Sequence, residues 1–204
     1  LVGSEMCIRD RYTIYYSMEE IKETNYQSAT TVNPTFRNAG RTIVYYYIAA
    51  KDYQDYSGSF TVEIAPKEIT VSFTGYDGLI YTGSKQGITI FLNGIIEGDV
   101  CEYTVIGNEG TNAGTYTCEV SSITNANYTL LGQTSLSWSI AKYQVEKPQE
   151  DSTVYTYTGE SQTYQLSSSE YYTITNNTQT EAGTYTVIVT LKDKNNYEWQ
   201  DGSD

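Results

Sequence analysis

Hydrophobic and polar residues alternate along much of this chain. Phe60, Val62 and Ile64 alternate with Thr61 and Glu63, and Tyr116, Cys118 and Val120 with Thr117 and Glu119. Leu136, Trp138 and Ile140 alternate with serines, and Tyr185, Val187, Val189 and Leu191 with Thr186, Ile188 and Thr190. A period of two places each set on one face of an extended backbone, so every run predicts a strand with one buried face. The stretches from Gly107 through Gly110 to Gly114 and from Asn176-Asn177 to Gly183 carry the Gly and Asn that positive-φ turns need, so their flanking strands predict hairpins. One helix is suggested, the short, uncapped run Met18 to Glu23.

The alternating runs recur. Tyr81-Thr82-Gly83-Ser84-Lys85-Gln86 returns 76 residues later as Tyr157-Thr158-Gly159-Glu160-Ser161-Gln162. Asn112-Ala113-Gly114-Thr115-Tyr116-Thr117 returns 69 residues later as Glu181-Ala182-Gly183-Thr184-Tyr185-Thr186, with a looser form at Asn38-Ala39-Gly40-Arg41-Thr42. Ile64-Ala65 matches Ile140-Ala141, and an aromatic marker follows each Ala-Gly turn at Tyr56, Tyr128 and Tyr197. Ordered markers at a near-constant period define repeats. They divide the chain into residues 12–66 (partial), 67–142 (complete) and 143–204 (expected to lack a final strand). Units of about 75 residues lie near the lower limit for an independent core. Residues 1–11, which include Cys7, share nothing with this text; they resemble a translated sequencing-adaptor peptide and are set aside.

Composition narrows the chemistry. Tyrosine is abundant at 22 residues against four Phe, and helix formers are scarce, which points to an all-β fold. Histidine is absent. That removes Ser-His-Asp and Cys-His catalysis and imidazole metal sites. A net charge of −13 gives no electrostatic basis for binding nucleic acid or an anionic membrane surface. No apolar run is long enough to span a bilayer as a helix.

The Y-T-G-x-x-Q box, the N-A-G-T-Y-T hairpin, the Asn-Tyr markers Asn127-Tyr128 and Asn196-Tyr197, Tyr76-Asp77-Gly78 and the closing Ser137 to Lys142 resemble the MBG and YDG-type repeats of bacterial extracellular proteins. The last repeat is similar to those of large Gram-positive surface proteins. The resemblance covers nearly everything after residue 11. It implies small β-modules, β-grasp-like or Ig-like, in an elongated tandem array that is secreted or attached to the cell wall. It lends no catalytic residue and no cofactor.

Four groups of residues carry candidate chemistry. Cys101 and Cys118 lie on opposite arms of one expected hairpin, and a turn centred near Asn108 to Gly110 would set them opposite each other within disulfide reach; a buried free thiol is the other reading. Asp193, Asn195, Asn196, Asp201 and Asp204 make an oxygen-rich, weak calcium candidate without the ligand order of a recognised loop. Glu19-Glu20 and Glu150-Asp151 are paired carboxylates, but neighbours on a strand point to opposite faces, which disfavours a glycosidase pair. Tyr45, Tyr46, Tyr47, Tyr53 and Tyr56, with Tyr171 and Tyr172, can form an aromatic surface for sugar or protein, or fill small cores in place of Phe.

The expected function is a non-enzymatic stalk or spacer segment of a bacterial surface or adhesin-like protein, with neighbouring repeats as its partners. Two alternatives stand beside it: an adhesive module that binds host glycan or protein through exposed tyrosines, and an accessory β-module of a surface enzyme.

Overall fold

Ile43, Val44, three tyrosines and Ile48 form an unbroken run of β-branched and aromatic residues, and they build the longest strand, β2 (Gly40–Ala50). The computed structural model describes residues 12–51, 53–151 and 153–203. The regular structure of these residues is seventeen strands and one 3-10 turn, in several small sheets with no α-helix, so the fold is all-β. Leu1 to Arg11, with Cys7, lie outside the described residues, as does Asp204.

In the first repeat, β2 is the middle strand of an antiparallel sheet with β1 (Tyr12–Ser17) and β3 (Tyr56–Ile64), and Gly40 faces Ile64. The second repeat holds β4 (Lys67–Thr74), β5 (Gln86–Gly87), β6 (Thr89–Asn93), β7 (Tyr103–Ile106), β8 (Glu109–Gly110), β9 (Gly114–Ile123), β10 (Tyr128–Leu130) and β11 (Ser135–Ile140). Its sheet β11-β9-β7 repeats the register of β3-β2, with Gly114 facing Ile140. The third holds β12 (Tyr143–Val145), β13 (Gln162–Thr163), β14 (Tyr172–Thr175), β15 (Thr178–Gln179), β16 (Ile188–Leu191) and β17 (Tyr197–Trp199). The β5-β8 pairing recurs as β13-β15, and the parallel pair of β4 with β10 recurs as β12 with β17.

The repeated boxes are local clasps. In each Y-T-G-x-x-Q box the Gln side-chain amide donates back to a backbone carbonyl six residues earlier, Gln86 to Ile80 and Gln162 to Thr156, both at 2.9 Å. The Thr hydroxyls of the boxes, Thr82 and Thr158, accept the N–H two residues on. In the A-G-T-Y boxes Tyr116 donates its hydroxyl to the Asn112 carbonyl at 2.7 Å, and Tyr185 donates to Glu181 at 2.9 Å.

Two compact units result. The first contains the described residues through Thr70 with Asn93–Glu102 and Ile123–Leu131; the second contains Val71–Leu92, Tyr103–Ser122 and the chain from Gly132. The division runs through the complete repeat. Buried apolar residues of the first unit include Ile21, Val44, Tyr47, Ile69 and Tyr128. In the second, Val145, Tyr172, Leu191 and Trp199 form one core, flanked by Tyr171, Ile174, Val189 and Tyr197. Trp138 stacks on Tyr116 with ring centroids 4.7 Å apart, and its Nε1–H donates to the Gly107 carbonyl at 2.8 Å.

Three expectations need correction. Met18 to Glu23 is not helical: the Asn25 Oδ1 takes the Lys22 N–H, the donor a helix would give to the Met18 carbonyl. A 3-10 turn forms instead at Tyr26–Ser28. The hairpin of the second repeat turns at Asn112-Ala113 rather than Asn108 to Gly110, because β8 is drawn off to pair with β5. Finally, Tyr56 is not equivalent to Tyr128 and Tyr197: it starts an antiparallel strand facing Ile48, whereas they start the parallel strands β10 and β17.

Candidate functional site

The Ala-Gly turns expose a backbone donor. Gly40 and Gly114 sit at φ of 144° and 149°, a region closed to residues with a Cβ, and each opens the strand that follows it. The turn leaves the N–H of the preceding alanine outside any strand ladder. In the first unit the Ala39 N–H donates to Asn127 Oδ1 at 2.6 Å, and Asn127 Nδ2 donates to Asn38 Oδ1 at 3.3 Å. In the second unit the Ala113 N–H donates to Asn196 Oδ1 at 2.7 Å, and Asn196 Nδ2 donates to Asn112 Oδ1 at 3.3 Å. Each Asn belongs to the repeat after the one it grips.

The same two asparagines anchor their own repeats. The Asn127 carbonyl accepts the Lys67 N–H at 2.8 Å, and the Asn196 carbonyl accepts the Tyr143 N–H at 2.9 Å, so each holds the start of its repeat's first strand. Their loops are shaped beforehand by side-chain acceptors: Asn125 Oδ1 takes the Asn127 N–H, and Asp193 Oδ1 takes the Asn195 N–H, both at 3.0 Å. Asn196 is the one buried polar residue among the described residues, and its Nδ2 also donates to Asp193 Oδ2 at 2.6 Å. That bond, ahead of the neighbouring backbone donors, holds the Asp193 carboxyl below the usual carboxylate range. Beside this joint Tyr81 of the second repeat meets Tyr197 of the third edge-to-face at 5.5 Å.

The geometry makes an amide latch between consecutive repeats. Its bonds are neutral, so salt does not screen them as it would ion pairs. An ion pair near the first joint, Arg37 to Asp99 at 3.8 Å, has an Arg side chain that is 91% exposed and adds little.

Other sequence-derived candidates fall elsewhere. Cys101 and Cys118 are free thiols. Cys118 is fully buried on β9 beside Gly107, whereas Glu102 pairs with Thr124, a register set by the shifted hairpin turn; burial pushes the Cys118 thiol up. Asp193 is committed to Asn195 and Asn196, and Asp201 to Lys147 Nζ at 2.8 Å and to Ser203, with the Asp201 carboxyl held down at about 2 chiefly by Lys147. No cluster of three acidic or cysteine side chains suited to a metal occurs among the described residues. Glu20 pairs with exposed Lys22, and Glu150 and Asp151 are exposed.

Of the tyrosine run, Tyr47 is buried: its ring stacks on Tyr26 at 4.4 Å and its hydroxyl donates to Asp55 Oδ2 at 2.7 Å. Tyr45 and Tyr46 are half-buried. Tyr53 and Tyr56 are exposed, and Tyr46 lies 6.1 Å from Tyr56 and 6.2 Å from exposed Phe60. The exposed aromatic surface therefore centres on β3 and the turn before it.

The sequence marks Asn127 and Asn196 as parts of a repeated Asn-Tyr pair without showing that they act across repeats. No protein-family model, curated protein or solved structure matches this chain.

Proposed function

We propose that this chain is a non-enzymatic spacer segment of a bacterial cell-surface or secreted protein, whose repeats are held in series to project another part of that protein away from its anchor. The observation that carries this reading is the recurrence of the amide latch: Asn127 on Ala39 and Asn196 on Ala113, with the same donors, acceptors and order. A joint that repeats atom for atom transmits one geometry along an array, which is what a stiff spacer requires. The net charge of −13 favours extension by self-repulsion. Small-angle scattering of residues 12–204 tests this. A compact globule of that length has a radius of gyration of about 16 Å; the spacer reading expects a clearly larger value with a rod-like distance distribution, and about 16 Å would contradict it.

The aromatic surface of Tyr46, Tyr56 and Phe60 supports a second reading, an adhesive module for glycan or protein. A glycan array probed with the chain and with its Tyr56→Ser variant separates the two. Binding that the substitution abolishes favours adhesion, and absence of binding favours the spacer.

A further inference from the structure

The third repeat contains a cleft of about 860 Å³ lined by Tyr155, Tyr157, Asn176, Tyr185, Val187 and Val189, among others. It is a surface cleft, and it is large enough to seat several side chains, since one water's share of liquid volume is about 30 Å³. The second repeat shows what fills the equivalent space there. Along β9, Tyr116 faces Trp138 and Cys118 faces Leu136 of the antiparallel strand β11. Trp138 also donates to the Gly107 carbonyl, and Ala141, just past β11, continues in parallel beside Leu79 and Tyr81 through two backbone bonds of 2.8 and 2.9 Å.

Every acceptor of that strand has a counterpart around the cleft. Tyr185, Val187 and Val189 occupy the positions of Tyr116, Cys118 and Val120; Asn176 occupies that of Gly107; Tyr155 and Tyr157 occupy those of Leu79 and Tyr81. The positions are less covered than in the second repeat. Cys118 and Val120 are buried, whereas Val187 and Val189 are half-buried and Tyr185 is 42% exposed. The strand itself is shortened: β9 begins at Gly114, but β16 begins only at Ile188, so Thr184 to Val187 lie outside any strand. The Asn176 carbonyl, equivalent to the acceptor of the Trp138 indole, accepts the Gln179 side-chain amide at 3.3 Å instead.

We propose that this cleft is a strand acceptor, taking an extended segment with the chemistry of β11, in which small polar residues alternate with Leu, Trp and Ile, laid antiparallel along residues 183–188 and ending beside Tyr155 to Tyr157. The Trp of the incoming segment seats on Tyr185 with its indole N–H toward the Asn176 carbonyl, and its Leu covers Val187. The edge supplies backbone bonds and the alternating pockets supply selectivity, the mode by which exposed sheet edges recruit an added strand. The donor stretch from Ser135 to Ala141 carries no charge.

The probe is a fluorescein-labelled synthetic peptide of residues 133–142, titrated with the full chain by fluorescence anisotropy and paired with amide hydrogen exchange. Saturable binding is expected, weakened at least tenfold by Trp→Ala in the peptide and by Tyr185→Ala in the chain, with Thr184 to Val187 amides gaining protection. Because Tyr185 is exposed, its replacement leaves the Trp199 core intact, which near-UV circular dichroism verifies. Equal binding of a scrambled peptide, no binding, or binding indifferent to Tyr185→Ala overturns the proposal. So does saturation of the cleft by a second copy of the chain, seen as self-association that excludes the peptide.

Discussion

Asn196 ties together three stretches of the chain, at residues 112–113, 143 and 193. It closes three bonds with its amide and one with its carbonyl, in a buried position. Replacing it with alanine removes its side-chain hydrogen bonds to the half-buried Ala113 N–H, to the exposed Asn112 Oδ1 and to Asp193 Oδ2, a net loss of roughly 1–3 kcal/mol once water re-solvates the exposed partners. Asn196→Ala is therefore expected to lower stability by about that amount in urea unfolding, and half-buried Asn127→Ala by about 0.5–1.5 kcal/mol. The loss in Asn127→Ala is expected to be the same at low and high salt, because the two latch bonds it removes are neutral. A second residue-scale expectation concerns pH. The Asp55 carboxyl is held below its ordinary value, first by the Tyr47 hydroxyl, and the Tyr47 hydroxyl is pushed up to about 12, first by its bond to Asp55. A depressed carboxylate contributes stability that is present above its unfolded pKa of about 4 and is lost as pH falls through the folded value; a raised phenol contributes stability present below about 10 and lost as pH rises toward the folded value. Urea midpoints measured against pH should fall at both ends. Asp55→Asn, which still accepts from Tyr47, should remove this pair's share of the acid-side fall.

At the level of elements, the second-repeat hairpin shows how far local sequence reaches. The alternation of β9 and β11 was legible because one face of each is buried and the period is two. The turn between β7 and β9 was not, because Gly107 to Gly110 and Asn112 to Gly114 are both good turn text. The choice is made by a distant element, β5, which takes β8 into its own ladder. Gly107 then becomes a kink at φ of 68°, where a Cβ would land on the Thr117 carbonyl oxygen. Gly107→Ala should cost at least about 1–2 kcal/mol from the left-handed backbone alone, and more from the clash, read as a lowered denaturation midpoint. The third repeat has Asn176 at this position, at φ of 59°, and its amide bonds the matching Thr186 carbonyl at 2.7 Å. Trp138→Phe keeps ring stacking on Tyr116 but leaves the Gly107 carbonyl without its indole donor, a loss of about 1 kcal/mol. The burial of Tyr47 was equally hidden, since the ring that covers it, Tyr26, sits on a 3-10 turn closed by the Ser28 N–H to the Asn25 carbonyl and the Ala29 N–H to the Tyr26 carbonyl rather than on the sheet.

For the whole molecule, the markers align residues 67–142 with 143–204, and the strand pairings there follow that alignment; in residues 12–66 the Ala-Gly turn with β2 and β3 follows it, whereas Tyr56 falls elsewhere. What the markers did for the fold was not readable from them. The Y-T-G-x-x-Q and A-G-T-Y boxes close on themselves, whereas the Asn-Tyr pair reaches into the preceding repeat, a role visible only once both partners are in place. The spacer proposal depends on that reach. If the latch sets the geometry between repeats, the Ala39 and Ala113 amides are its reporters, because each donates only to the asparagine of the next repeat among the hydrogen bonds described above. Amide hydrogen exchange at these two residues is the most direct measurement. Both should exchange slowly in the intact chain, with protection lost at Ala39 in Asn127→Ala and at Ala113 in Asn196→Ala, each without loss at the other. Fast exchange at both in the intact chain, or protection that survives the substitutions, would contradict the coupling of repeats through these asparagines.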